Sequence, residues 1–171
     1  MPEPQNIRLL LCDADGVLTD GSIIVDDAGV ELRRFHVRDG LGIQAAMGVG
    51  LQVGVISGRI AQATAKRLQY LGITLVMQGQ ADKGAALLAA CQAAGVPPEA
   101  TAFIGDDLID LPALKRCGYP MAVADAVDEV QAAARFITPQ PGGRGAVRAA
   151  IEHILRAQNK WSLIVNRYMQ A

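Results

Sequence analysis

Short apolar runs recur along this chain, separated by stretches long enough for a helix, and most of them end on glycine or a polar residue. They are Ile7–Cys12, Leu51–Ile56, Ile73–Met77, Thr101–Ile104 and Tyr119–Val123, with Phe136–Thr138 as a sixth. Runs without polar alternation suit strands buried on both faces, and their alternation with helices builds a parallel sheet. The expected fold is therefore α/β, a doubly wound parallel sheet covered on both sides. Helices are expected at Asp39–Val49, Ala61–Leu71, Asp82–Ala94, through Leu114, and at Ala146–Arg156. Gly72 and the Gly95-Val96-Pro97-Pro98 stop end the second and third of these.

Two segments stand outside that alternation. Ser22–Val25 and Val30–Val37, joined by Asp26-Asp27-Ala28-Gly29, read as a β-hairpin extension over about 22–37. Its apolar residues Ile23, Ile24, Val25, Leu32 and Phe35 need a partner surface, because an isolated two-stranded ribbon is only marginally stable. The tail, about 157–171, holds Trp161 and Tyr168 and is expected to dock rather than float.

With 171 residues, 51% of them hydrophobic, the chain can bury one substantial core, and residues 1–171 are expected to form a single domain. A net charge of −1 and no basic run argue against nucleic acid as partner. No apolar run approaches the ~20 residues that span a bilayer, and MPEPQNIR lacks a leader pattern, so a cytoplasmic protein without membrane contact is expected. The three cysteines, Cys12, Cys91 and Cys117, have no zinc-site spacing and read as buried thiols.

The strand ends carry the chemistry. Asp13 and Asp15 follow the first strand at i and i+2, and Gly16 lets the backbone turn at once. Taken alone, that segment could be an Asx-type turn; an EF-hand is disfavoured because Val17 stands where an oxygen ligand is needed. Ser57, Gly58 and Arg59 close the second strand, Lys83 opens a helix after the third, and Asp106, Asp107 and Asp110 follow the fourth. Clustered carboxylates require a cation, and hard oxygen ligands with few imidazoles select Mg²⁺. Lys83 in a first helical turn, with Ser57 and Gly58, reads as a phosphate site. The expected reaction is attack of Asp13 on phosphorus, with Asp15 serving as acid and then base, and with Mg²⁺ bridging Asp13, the phosphoryl oxygen and Asp106.

In order, DADGVLTDG, ISGR, Lys83 and GDDLID resemble the four motifs of the haloacid dehalogenase superfamily of aspartate-nucleophile phosphatases. The resemblance implies Asp13 as nucleophile, Asp15 as acid/base and magnesium ligand through its backbone carbonyl, Ser57 and Lys83 at the phosphate, and Asp106 on the metal. One of Asp107 and Asp110 would support the metal from behind. FHVRDGLGI, LGITLVMQGQADK, AVADA and GGRGAVR extend the likeness to the bacterial members acting on phosphorylated octulosonate sugar acids in lipopolysaccharide synthesis. Such members have no cap domain, and here only the hairpin fills the first gap where a cap could be inserted. The resemblance further implies a homotetramer whose neighbouring subunits close the pocket.

Arg59 and Arg144 are candidates for the sugar-acid carboxylate, since guanidinium binds carboxylate bidentately. An acidic residue at position 59 would suit nine-carbon relatives, so Arg59 leans toward the eight-carbon acid. Asp39 could cap its helix or contact substrate. His36 and His153 read as structural. Two rivals remain: a receiver module, whose lysine would come late rather than before the GDD motif, and a noncatalytic oligomerisation domain, which intact Asp13 and Asp15 disfavour.

Overall fold

A computed structural model describes residues 3–170. Six parallel strands form one sheet in the order β5-β4-β1-β6-β7-β8, with β1 Leu9–Cys12, β4 Gln52–Ile56, β5 Leu75–Met77, β6 Thr101–Gly105, β7 Tyr119–Ala122 and β8 Phe136–Ile137. Every residue of β1 and β6 is buried, as expected for central strands covered on both faces. The helices are α1 Val37–Gly48, α2 Gln62–Leu71, α3 Lys83–Ala94, α4 Leu111–Leu114, α5 Asp128–Ala133, α6 Ala146–Ala157 and α7 Trp161–Met169.

Chain order decides where a ligand can sit. From β1 the chain moves outward on one side through β4 and β5, then returns to pair β6 on the other side of β1. That reversal opens a crevice beyond the carboxyl ends of β1, β4 and β6, where open α/β sheets bind ligands. Local chemistry supports the geometry: Asp82 caps α3 by accepting from Gly84 and Ala85 amides at 2.9 and 3.0 Å. Gly72 ends α2 in the left-handed region at φ 80°.

The hairpin is shorter than expected. Only β2 Ile24–Val25 and β3 Glu31–Leu32 pair, antiparallel, while Val37 starts α1 instead of ending a strand. Asp26 Oδ1 organises the turn by accepting from Ala28 and Val30 amides at 3.0 and 2.8 Å. Ile23, Ile24, Val25, Val30 and Leu32 are 49–55% exposed, so nothing within the chain consolidates a longer ribbon. Between Ser57 and Lys83 lie α2 and β5 alone, without a cap. The tail forms α7, docked on α6 through buried Trp161 and Ile164; Ala171 lies outside the described residues. Among the described residues no helix is long and apolar enough to cross a membrane.

Candidate active site

At the end of β1 the Asp13 amide donates to Ile104 O of β6 at 3.0 Å, which fixes the carboxylate at the carboxyl edge of the sheet. The chain then folds tightly on itself: Leu18 and Thr19 amides both donate to Ala14 O at 3.0 Å. Thr19 Oγ1 accepts from Gly16 and Gly21 amides at 3.3 Å. Gly16 has φ +87°, and a Cβ there would overlap the Asp106 carboxylate, so conformation and space both demand glycine. Across this turn lie the ends of β4 and β6. Together they form a cleft of about 370 Å³ lined by Asp13, Asp15, Gly58, Arg59, Asp106 and Asp107.

Lys83 is the centre of charge behind the cleft. Its side chain is fully buried, with Nζ 2.8 Å from Asp13 Oδ1 and 2.6 Å from Asp110 Oδ1. Burial opposes charging it, yet the two carboxylates outweigh that cost and hold its pKa above the usual lysine range. Asp110, also fully buried, accepts from Asp106 and Asp107 amides at 2.9 and 3.4 Å, so it orients both Lys83 and the loop after β6. Asp107 is exposed, lines the cleft and accepts from Leu108 N at 2.7 Å.

The cluster carries more negative charge than Lys83 balances. Burial, then Asp110, pushes the Asp13 carboxyl up to about 6 against the pull of Lys83. Burial, then Asp13 and Asp110, pushes Asp106 up to about 8. Oxygens of Asp13, Asp106 and Asp110 lie within 4.8 Å of one another, and buried Asp106 Oδ1 has no hydrogen-bond partner among the described residues. Surplus buried oxygen acceptors of this kind fit a hard divalent cation such as Mg²⁺.

This arrangement can be compared with known proteins. A family model for haloacid dehalogenase-like hydrolases matches residues 60–151. The 3-deoxy-D-manno-octulosonate 8-phosphate phosphatase of Haemophilus influenzae is 44% identical over 159 residues, 93% of this chain and 88% of that protein. The phosphatase of the same name from Yersinia pestis is 47% identical over 158 residues, 91% of this chain and 83% of its own. A crystal structure of the Moraxella catarrhalis phosphatase, in complex with magnesium ion, phosphate ion and KDO, superposes with a TM-score of 0.94 at 38% identity, covering 96% of this chain and 95% of that one. The chain belongs to the haloacid dehalogenase-like hydrolases.

In this hydrolase not every candidate residue reaches the cleft. Asp13, Asp15, Gly58, Arg59, Asp106 and Asp107 line it, and Lys83 and Asp110 stand directly behind. Ser57 is buried at its edge, where Oγ accepts from Arg59 N at 3.2 Å and donates to Arg59 O at 3.1 Å. Two expectations are corrected. Asp39 neither caps its own helix nor meets the cleft: it is buried in the first turn of α1, and its Oδ1 accepts from Arg148 N at 2.7 Å, capping α6 from outside. Arg144 turns away into a separate groove, because Gly142 and Gly143 press the loop backbone, rather than its side chains, onto the turn after Asp15.

Arg33 was not singled out by the motifs, although its side chain is 1% exposed and pairs with Asp15. Glu31 accepts from Arg33 at 3.0 Å and from Arg59 at 2.8 Å, tying the hairpin to the cleft rim. A sequence signal for it exists: Glu31, Arg33 and Phe35 alternate with exposed Leu32 and Arg34, so one face of that arm turns inward. Buried Cys12 has a thiol pushed far up by its surroundings, burial foremost, so it is inert beside Asp13. His153 bonds Tyr119 OH at 2.9 Å and stacks on Phe136, far from any ligand role with His36.

Proposed function

We propose that this protein is a Mg²⁺-dependent phosphatase that hydrolyses 3-deoxy-D-manno-octulosonate 8-phosphate to the free sugar acid and inorganic phosphate, a step in lipopolysaccharide precursor synthesis. The observation that carries the reading is the match over 96% of the chain to a phosphatase solved with magnesium, phosphate and KDO, combined with an acidic cluster in which Asp106 Oδ1 has no hydrogen-bond partner among the described residues.

Asp13 is the nucleophile in this reading. Lys83 sits 2.8 Å from it and favours the carboxylate, as attack on phosphorus requires. Its oxygen forms the bond to phosphorus as the sugar C–O–P linkage breaks, and Asp15 delivers a proton to the departing alkoxide. Asp15 then takes a proton from water, whose oxygen attacks the aspartyl phosphate and restores Asp13 with release of phosphate. Asp13, Asp106 and the Asp15 backbone carbonyl are the groups that would hold Mg²⁺, which when bound neutralises the transferring phosphoryl oxygens. Lys83 with Ser57 and Gly58 is assigned to the phosphate, and Arg59 at the rim, steadied by Glu31, to the sugar-acid carboxylate.

Exposed apolar hairpin residues support a homotetrameric assembly in which hairpins from several copies bury one another. Sedimentation of the full chain tests it: a monomer at micromolar concentration would sink this part of the reading.

Function is tested by phosphate release from eight- and nine-carbon 2-keto-3-deoxy sugar-acid phosphates, with and without Mg²⁺, for the wild type and Asp13→Asn. The expected result is Mg²⁺-dependent turnover of the eight-carbon ester, lost in Asp13→Asn with the fold retained. Preference for the nine-carbon ester would overturn the substrate, and turnover by Asp13→Asn would overturn the mechanism.

A further inference from the structure

A second cavity, about 690 Å³, lies on another face of the sheet between α1, α6 and the loop that follows β8. It shares no lining residue with the acidic cleft. Four arginines line it: Arg38 from α1, Arg144 from the loop, and Arg148 and Arg156 from α6. Glu152 is the one carboxylate lining it, and it is already shared, accepting from Arg148 Nε at 2.7 Å and from Arg156 at 2.9 Å. Arg38 and Arg144 have no ion pair or side-chain hydrogen bond among the described residues. Such a surplus of positive charge in a concave site is costly unless an anion neutralises it.

The remaining lining adds chemistry that a bare anion would not use. Phe136 and His153 stack with ring centroids 3.9 Å apart, and with Leu41 and Pro139 they give the groove an apolar portion. Gln140 Oε1 is buried without a hydrogen-bond partner among the described residues, an acceptor open to a ligand hydroxyl. The volume falls in the range that holds a small metabolite rather than a single ion, about 300–1,000 Å³.

From this placement we infer that the groove is a second binding site, separate from the catalytic cleft, for a phosphorylated, hydroxyl-bearing small molecule. Arg38 and Arg144 grip its phosphate from two sides, while Phe136, His153 and Gln140 face its ring and hydroxyls. Sugar phosphates and nucleotides share this chemistry, and the experiment separates them.

The chain has a single tryptophan, Trp161, which lies beneath the Arg148 and Arg156 guanidiniums at 4.6 and 5.7 Å. Its emission therefore reports on this groove. Full-length Asp13→Asn, in which turnover is blocked, is titrated in Mg²⁺ with ADP and with glucose 6-phosphate, and calorimetry is run in parallel. A saturable emission change is expected for at least one probe, and the tighter of the two names the class. Loss of each guanidinium contact should weaken it by about tenfold, so Arg38→Ala/Arg144→Ala should abolish binding in the working range, while Arg59→Ala, at the cleft, leaves it within about twofold. No saturable change with either probe at millimolar concentration, or affinity unaltered in the double arginine variant, overturns the proposal. So does a signal that follows protein concentration instead of probe, which would assign the groove to another copy of the chain.

Discussion

Replacing Lys83 by methionine tests whether one buried ammonium holds the strand-end carboxylates in place. Methionine keeps the unbranched apolar stem, so the change removes charge and leaves little void. Nζ contacts Asp13 at 2.8 Å and Asp110 at 2.6 Å. At an effective dielectric near 20, one contact of that length carries about 6 kcal/mol of gross attraction. Desolvation of the three charges offsets most of it, and breaking a buried pair generally costs about 3–5 kcal/mol. Asp110 would keep its bonds from Asp106 and Asp107 amides, at 2.9 and 3.4 Å, which places the expected loss at the lower end, about 3 kcal/mol. Urea unfolding without added metal, followed by far-ultraviolet circular dichroism, measures it at about pH 7.5 and again at about pH 5.5. The loss should shrink at the lower pH, because Asp13, which burial and Asp110 already raise to about 6, takes up a proton as pH falls once its cation is gone. A loss under about 1 kcal/mol at the higher pH, or the same loss at both, refutes the reasoning.

Three further outcomes are expected. Without metal, burial and neighbouring acids raise Asp13 to about 6 and Asp106 to about 8. These groups keep protons that the unfolded chain sheds near its ordinary carboxyl range, so metal-free stability falls as pH rises from about 4 to 8. Mg²⁺ must displace those protons, so its thermal stabilisation should grow over that window; equal shifts at about pH 6 and about pH 8 would contradict this. Asp39→Ala removes the cap on α6 and should cost about 1–2 kcal/mol in urea unfolding with kcat and KM little changed, whereas a tenfold fall in kcat/KM at wild-type stability would make Asp39 a substrate contact after all. Gly142→Ala forces a methyl against the Gly16 carbonyl and should lower kcat by about tenfold or more, as displaced catalytic groups do; wild-type kinetics would show the turn after Asp15 to be insensitive to that contact.

Much of the sheet and of the acidic cleft was legible in the sequence because each depends on local signals. A buried strand must end where a carboxylate or glycine begins, and parallel connectivity then brings those ends to one edge, so Asp13, Lys83 and Asp106 converge without knowledge of any contact. Placement that depends on tilt between elements was not legible. Asp39 had the composition of an N-cap, but α1 starts two residues earlier and the carboxylate serves Arg148, which lies 109 residues away. Arg144 is a candidate for the sugar-acid carboxylate because guanidinium binds carboxylate bidentately, yet the neighbouring glycines serve close packing and leave it lining a separate groove. Arg33 lies in a hairpin whose pairing covers only two residues per strand, so the short alternation of Glu31, Arg33 and Phe35 is a weak signal beside the motifs at the strand ends. α5, six residues long, has too few turns to show a period.

The meeting of Gly142 and Gly143 with the residues from Gly16 to Asp20 is backbone against backbone, and the Gly143 amide donates to Val17 O at 2.9 Å. A seam made that way has no slack for evolution to spend: a side chain at Gly142 or Gly143 displaces the facing backbone, and the displacement reaches the turn that holds Asp13 and Asp15. Gly29 at the hairpin tip has nothing within 4 Å of an added Cβ, yet its φ of +78° is a left-handed conformation that favours glycine there too. Attempts to retune what this enzyme accepts therefore leave this seam untouched and turn to side chains that line the cleft, such as Arg59.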